Sequence, residues 1–121
     1  AIGTPVMASK EGVVAGVGNT AQSCSGVSYG KWALVKHPNN LSTLYAHLSI
    51  IKVSGGQQVE TGQLIGYSGD TGYATGPHLH YGVFASEGVE IKSYKSKICG
   101  TNMILPVKTK NNAYLNPLSY L

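Results

Sequence analysis

Four histidines carry most of the chemistry open to this chain: His37, His47, His78 and His80. His78 and His80 are two apart in a strand-like stretch. Side chains alternate along a strand, so these two share one face, while Leu79 and Tyr81 take the other. Two adjacent imidazoles cannot both be buried without partners. A His-x-His pair on a strand suits a zinc site or an acid–base pair, because neutral imidazole is a good zinc donor and titrates near neutral pH. His47 lies in Leu44-Tyr45-Ala46-His47-Leu48. Strict alternation groups Leu44, Ala46 and Leu48 on an apolar face. It sends Tyr45 and His47 outward, toward the cleft of the pair. A catalytic zinc usually takes three protein ligands and keeps a position open for water. His47, His78 and His80 would make a three-His site; a site lacking one ligand is the alternative, and spacing alone does not choose. Asp70, the only Asp, is a weak ligand candidate in a Gly-rich loop. His37, just before Pro38 at a turn, reads as a solvated residue.

The elements that must position these residues are strands. Apolar spacing mostly follows a period of two, punctuated by glycine, which predicts an all-β fold with little or no helix, a small antiparallel β-sandwich or open barrel. Expected strands are Thr4–Ala8, Val13–Val17, Tyr29–His37, Leu41–Ser49, Gln57–Glu60, Leu64–Ser68, His78–Ala85 and Val89–Ser93. Pro38-Asn39-Asn40 joins two of them as a hairpin turn, since Asn tolerates positive φ. The Gly/Thr-rich stretch Gly69–Pro77 reads as a long loop. Its glycines let a peptide backbone approach closely, and Tyr73 at its centre is a candidate groove wall. The tail Tyr114-Leu115-Asn116-Pro117-Leu118 reads as an apolar strap, with Pro117 arguing against a central strand.

Composition narrows the class. The chain has 121 residues, enough for one domain spanning 1–121. Charged residues are only 12% and apolar ones 42%, the reverse of a disordered composition. No apolar run is long enough to span a membrane. The net charge is +4. All of its basic residues are lysines, scattered except for Lys92, Lys95 and Lys97, so nucleic acid is not the expected partner. A mildly basic surface also suits an anionic polymer such as a cell wall. Cys24 and Cys99 lack the close spacing of a Cys-based zinc site. A disulfide between them is the preferred reading and implies an oxidising, exported location. The chain begins at Ala1 without an initiator Met or basic leader, so processing or a larger parent protein is expected.

Gly3-Thr4-Pro5-Val6-Met7-Ala8 with Gly12-Val13-Val14, then Leu44-Tyr45-Ala46-His47-Leu48-Ser49, then Gly62-Gln63-Leu64-Ile65-Gly66 with Ser68-Gly69-Asp70-Thr71-Gly72, then Gly76-Pro77-His78-Leu79-His80-Tyr81 form an ordered set of motifs. Over about residues 3 to 84, plus Asn116-Pro117, the chain resembles the lysostaphin-like zinc metallo-endopeptidases that cut peptidoglycan cross-links. The resemblance implies a small antiparallel β structure with a sheet-floored groove, a Zn2+ cofactor, a peptidoglycan peptide as partner and a cell-envelope or extracellular location. It assigns His80 as a zinc ligand and His47 and His78 as catalytic histidines, in place of the three-His site. The family's other two ligands belong to a His-x-x-x-Asp motif that would precede Gly3 and is not in this chain. The expectation is therefore that the domain starts just after that motif and that this chain alone binds zinc poorly. The alternative is a non-catalytic relative that binds wall peptide or activates a partner hydrolase. The segment Gly55–Gly66 also looks like the hairpins of lipoyl or biotin carriers, but no Lys lies between Lys52 and Lys92 to carry the group.

Overall fold

The computed structural model describes residues 3–20, 30–69, 80–95, 102–108 and 114–115. The strands are β1 (Pro5–Met7), β2 (Gly12–Asn19), β3 (Lys31–Lys36), β4 (Leu41–Ile51), β5 (Gln58–Val59), β6 (Leu64–Ser68), β7 (His80–Ala85), β8 (Val89–Lys95), β9 (Asn102–Lys108) and β10 (Tyr114–Leu115). A 3-10 turn, Ser86–Gly88, joins β7 to β8. The molecule is nearly all β, as the period-two pattern requires. β1–β8 fall on the expected strands, with ends shifted by a few residues. The tail that reads as a strap contributes β10, which pairs with β7.

The main sheet runs β1-β6-β4-β3-β2-β5, with β7 and β10 branching from β4, and every pairing is antiparallel. β3 and β4 form the expected hairpin. Asn40 takes a left-handed φ of 59°, and the His37 amide donates to the Leu41 carbonyl at 2.7 Å to close the turn. β4 is the longest strand because it serves three neighbours. One edge pairs with β3. The other is shared, with β7 along Leu41–Ala46 and β6 along Leu48–Ile51.

Apolar side chains cover both faces of this sheet. Val6, Ala8, Val14, Ala33, Val35, Tyr45, Leu48, Val53, Val59 and Ile65 form one cluster. Trp32, Leu34, Leu44, Ala46, Phe84 and Val89 form the second, with Ile91 packed against it. The two-stranded ribbon of β8 and β9 covers this second cluster. The indole Nε1 of fully buried Trp32 donates to the Ile104 carbonyl at 3.0 Å, pinning the ribbon. β2 can lie against that indole because residue 18 is glycine: a Cβ there would come within 2.7 Å of the ring.

Candidate active site

His47 sits where the shared edge of β4 changes neighbours. The β4–β7 register ends at Ala46↔His80, and the β4–β6 register begins at Leu48↔Ser68. The chain thus leaves β6 on one side of His47 and starts β7 on the other. On the β3 edge the register shifts at the same place. Lys31 pairs with Leu48 and Ala33 with Tyr45, so Trp32 alone faces both Ala46 and His47. This is a β-bulge, one extra residue that re-aims side chains. His47 has a φ of 57°, one of only two non-glycine residues in the left-handed region among the described residues. For a non-glycine residue that conformation costs on the order of 1 kcal/mol and persists only where the surroundings impose it.

The bulge corrects the expected faces. Tyr45 and Leu48 belong to the same core cluster, although strict alternation puts residues three apart on opposite faces. Ala46 belongs to the other cluster. Counted back from Leu48, alternation returns His47 to the face of Ala46 and Trp32, not that of Tyr45. His47 is also buried, at 5% exposure, rather than turned outward. Core clusters lie on both faces of β4 beside it, one with Tyr45 and Leu48 and the other with Ala46.

His80 opens β7, and its backbone pairs with Ala46, one residue from His47. His78, Asp70, Tyr73, Cys24 and Cys99 lie outside the described residues, so the pairing of the cysteines and the groove wall at Tyr73 do too. Among the described residues, no group of three His, Cys, Asp or Glu side chains could hold a metal ion.

His37 is a second correction. It is buried at 6% exposure, not solvated. Its Nδ1 lies 2.7 Å from the Glu11 carbonyl, which can only accept, so Nδ1 carries the proton. Its Nε2 lies 2.8 Å from the Thr43 hydroxyl, itself 3.1 Å from the Tyr45 hydroxyl. The Tyr45 hydroxyl also accepts from the Ser9 amide at 3.1 Å. This polar network ties the approach to β2 onto the β3–β4 hairpin. Both ring nitrogens are engaged, which assigns His37 a structural part. The pattern of apolar alternation gave no hint of it, because the closing partner, Glu11, is distant in sequence.

The surroundings of His47 contain groups that the motif reading passes over. Ser49, two residues on, sits at another register shift, between Leu48↔Ser68 and Ile50↔Tyr67. Its hydroxyl faces the Ser68 and Tyr67 carbonyls at 3.0 and 3.3 Å. The Lys31 ammonium donates to the Ser49 carbonyl at 2.7 Å.

The peptidase family M23 model matches residues 1–93. The chain belongs to that family. It is 42% identical over 97 residues to peptidoglycan DD-endopeptidase ShyA of Vibrio cholerae, covering 80% of this chain and 21% of that protein. The catalytic domain of the antimicrobial peptidase lysostaphin from Staphylococcus simulans superposes with a TM-score of 0.69 at 28% identity, covering 99% of this chain and 71% of that one. A zinc-containing peptidase from Vibrio cholerae superposes with a TM-score of 0.64 at 36% identity, covering 71% of this chain and 25% of that one. The chain spans about a fifth of the length of the curated relatives it matches, 21% in the case of ShyA.

Proposed function

We propose that this chain is the catalytic core of a zinc-dependent endopeptidase that hydrolyses peptide cross-links of bacterial peptidoglycan. The observation that carries the reading is His47, buried in a left-handed conformation at the fork of β4, one residue from the backbone partner of His80. Strained backbone of this kind clusters at functional sites. The family match and the peptidoglycan and lysostaphin relatives support the substrate class.

In this reading His80 is a zinc ligand. A bound zinc ion would supply Lewis acidity to the scissile carbonyl and the attacking water. His47 and His78 divide two tasks: taking the water's proton, and donating a hydrogen bond to the oxygen that becomes negative in the tetrahedral transition state. Burial of His47 among apolar neighbours keeps competing water away and strengthens both interactions. The fork is a suitable place, because paired strands on each side of His47 hold its flanking backbone in register. Such a substrate implies export to the cell envelope. No helix among the described residues is long and apolar enough to cross a membrane.

The test uses the intact protein, zinc and purified cross-linked muropeptides, with products read by chromatography and mass spectrometry. His47→Ala and His78→Ala should keep the metal and lose turnover by about 10²-fold or more, the usual scale for an acid–base group. His80→Ala should lose the metal as well. Equal metal loss in all three variants would favour a three-His site. Muropeptide binding by a zinc-loaded wild type without cleavage would favour the non-catalytic alternative.

A further inference from the structure

We infer that Ser49, wedged against Gly69, is a positioning residue that holds His47 in its left-handed conformation; this rests on the reading of His47 as catalytic. A strained residue relaxes unless the chain on each side of it is fixed. Before His47, Ala46 is fixed by its pairing with His80 of β7. After it, the ladder to β6 breaks: Leu48 pairs with Ser68 and Ile50 with Tyr67, which leaves Ser49 as an extra residue. Its hydroxyl compensates, reaching the Ser68 carbonyl at 3.0 Å and the Tyr67 carbonyl at 3.3 Å. On the opposite edge Lys31 Nζ holds the Ser49 carbonyl at 2.7 Å. Ser49 is therefore tied on both sides by side-chain bonds at the point where the β4–β6 register shifts.

Gly69 completes the clamp. A Cβ built there would lie 2.6 Å from the Ser49 amide nitrogen, 2.8 Å from its Cβ and 2.9 Å from its Cα. Two of those three atoms are backbone and cannot swing away. No positive φ requires glycine at this position, since Gly69 is absent from the left-handed set. The requirement is close approach alone. Gly69 also directly follows β6, and β7 opens at His80, which pairs with Ala46. Ser49 and Ala46 thus bracket His47, and the same two points of β4 fix both ends of the connection between β6 and β7.

The variants are Ser49→Ala, Ser49→Thr and Gly69→Ala in the intact protein. The readouts are kcat and KM on cross-linked muropeptides and, at one fixed pH, the imidazole carbon–proton NMR signals of the four histidines. Ser49→Ala and Gly69→Ala should move the His47 signal and leave the His37 signal in place. They should lower kcat by roughly tenfold to a hundredfold, the scale of a misplacement of about 1 Å, with KM changed less than kcat. Ser49→Thr keeps the hydroxyl and should retain most of the wild-type kcat. An unmoved His47 signal in both Ser49→Ala and Gly69→Ala overturns the inference, as does a kcat within twofold of wild type. If wild type itself fails to cleave muropeptides, the proposed activity falls, and the His47 signal still decides the positioning claim. If Gly69→Ala does not fold, Ser49→Ala and Ser49→Thr carry the test.

Discussion

At the scale of single residues, the backbone of His47 is the feature with the most consequence. Two substitutions separate its strain from its imidazole. His47→Ala removes the ring and keeps a Cβ in the left-handed region. His47→Gly removes the ring and the steric conflict together. In an ordinary strand, glycine is the worse residue by roughly 0.5–1 kcal/mol. Here the order should invert, with His47→Gly more stable than His47→Ala by about 1 kcal/mol in urea unfolding. If the alanine variant is the more stable, the conformation is unstrained and the bulge is not a reservoir. His37 gives the contrasting case. Replacing it with Ala takes a partner from the Glu11 carbonyl and from the hydroxyl of buried Thr43. A loss of about 1–3 kcal/mol is expected. Because His37 belongs to the hairpin network and not to the fork, kcat of the surviving folded enzyme should stay within about twofold. A kcat collapse in His37→Ala at full folding would place His37 in the catalytic machinery.

At the scale of elements, the sheet is organised around β4 and closed by the β8–β9 ribbon. The contact that fixes the ribbon is Trp32, whose ring is buried and whose Nε1 is bonded to Ile104. Gly18→Ala tests this packing from the other side. Its Cβ would press on the indole at 2.7 Å, and overpacking of this kind typically costs about 1–3 kcal/mol. The loss should appear as a lower urea midpoint, and unchanged stability would mean that the ring can shift without cost. Much of the element structure was legible from period-two spacing and glycine punctuation: β6 begins and ends at the expected residues, Leu64 and Ser68. The bulge was not. Leu44 to Leu48 reads as unbroken alternation, and the residue that breaks it is a histidine, not the glycine that usually marks a left-handed position. β9 escaped for a related reason. Pro106 within it argues against a strand, yet in a two-stranded ribbon both strands are edges, where a missing amide is tolerated. The identity of the candidate residues was legible, but not their faces, because a face depends on register, and register is set by partners distant in the chain.

At the scale of the whole molecule, stability and chemistry rest on different parts. The two core clusters surround β3 and β4 and draw on side chains of nearly every other strand, and no described metal-binding group contributes to them. A small zinc finger is the opposite case, in which metal binding and folding are one event. The apolar clusters are built from side chains of the strands themselves, and a bound zinc ion would add the stabilisation of mass action, about 2.7 kcal/mol at a hundredfold excess of free metal over Kd. Chelating zinc from the intact protein should therefore abolish muropeptide cleavage while the far-ultraviolet strand signature persists and the melting temperature falls by about 10 °C. Returning zinc should restore turnover without a refolding step, because the fork that holds His47 and starts β7 at His80 is built by ladders, not by the ion. Loss of the strand signature on chelation would mean that the metal organises the sheet. The active site could then not be an addition to a self-sufficient core.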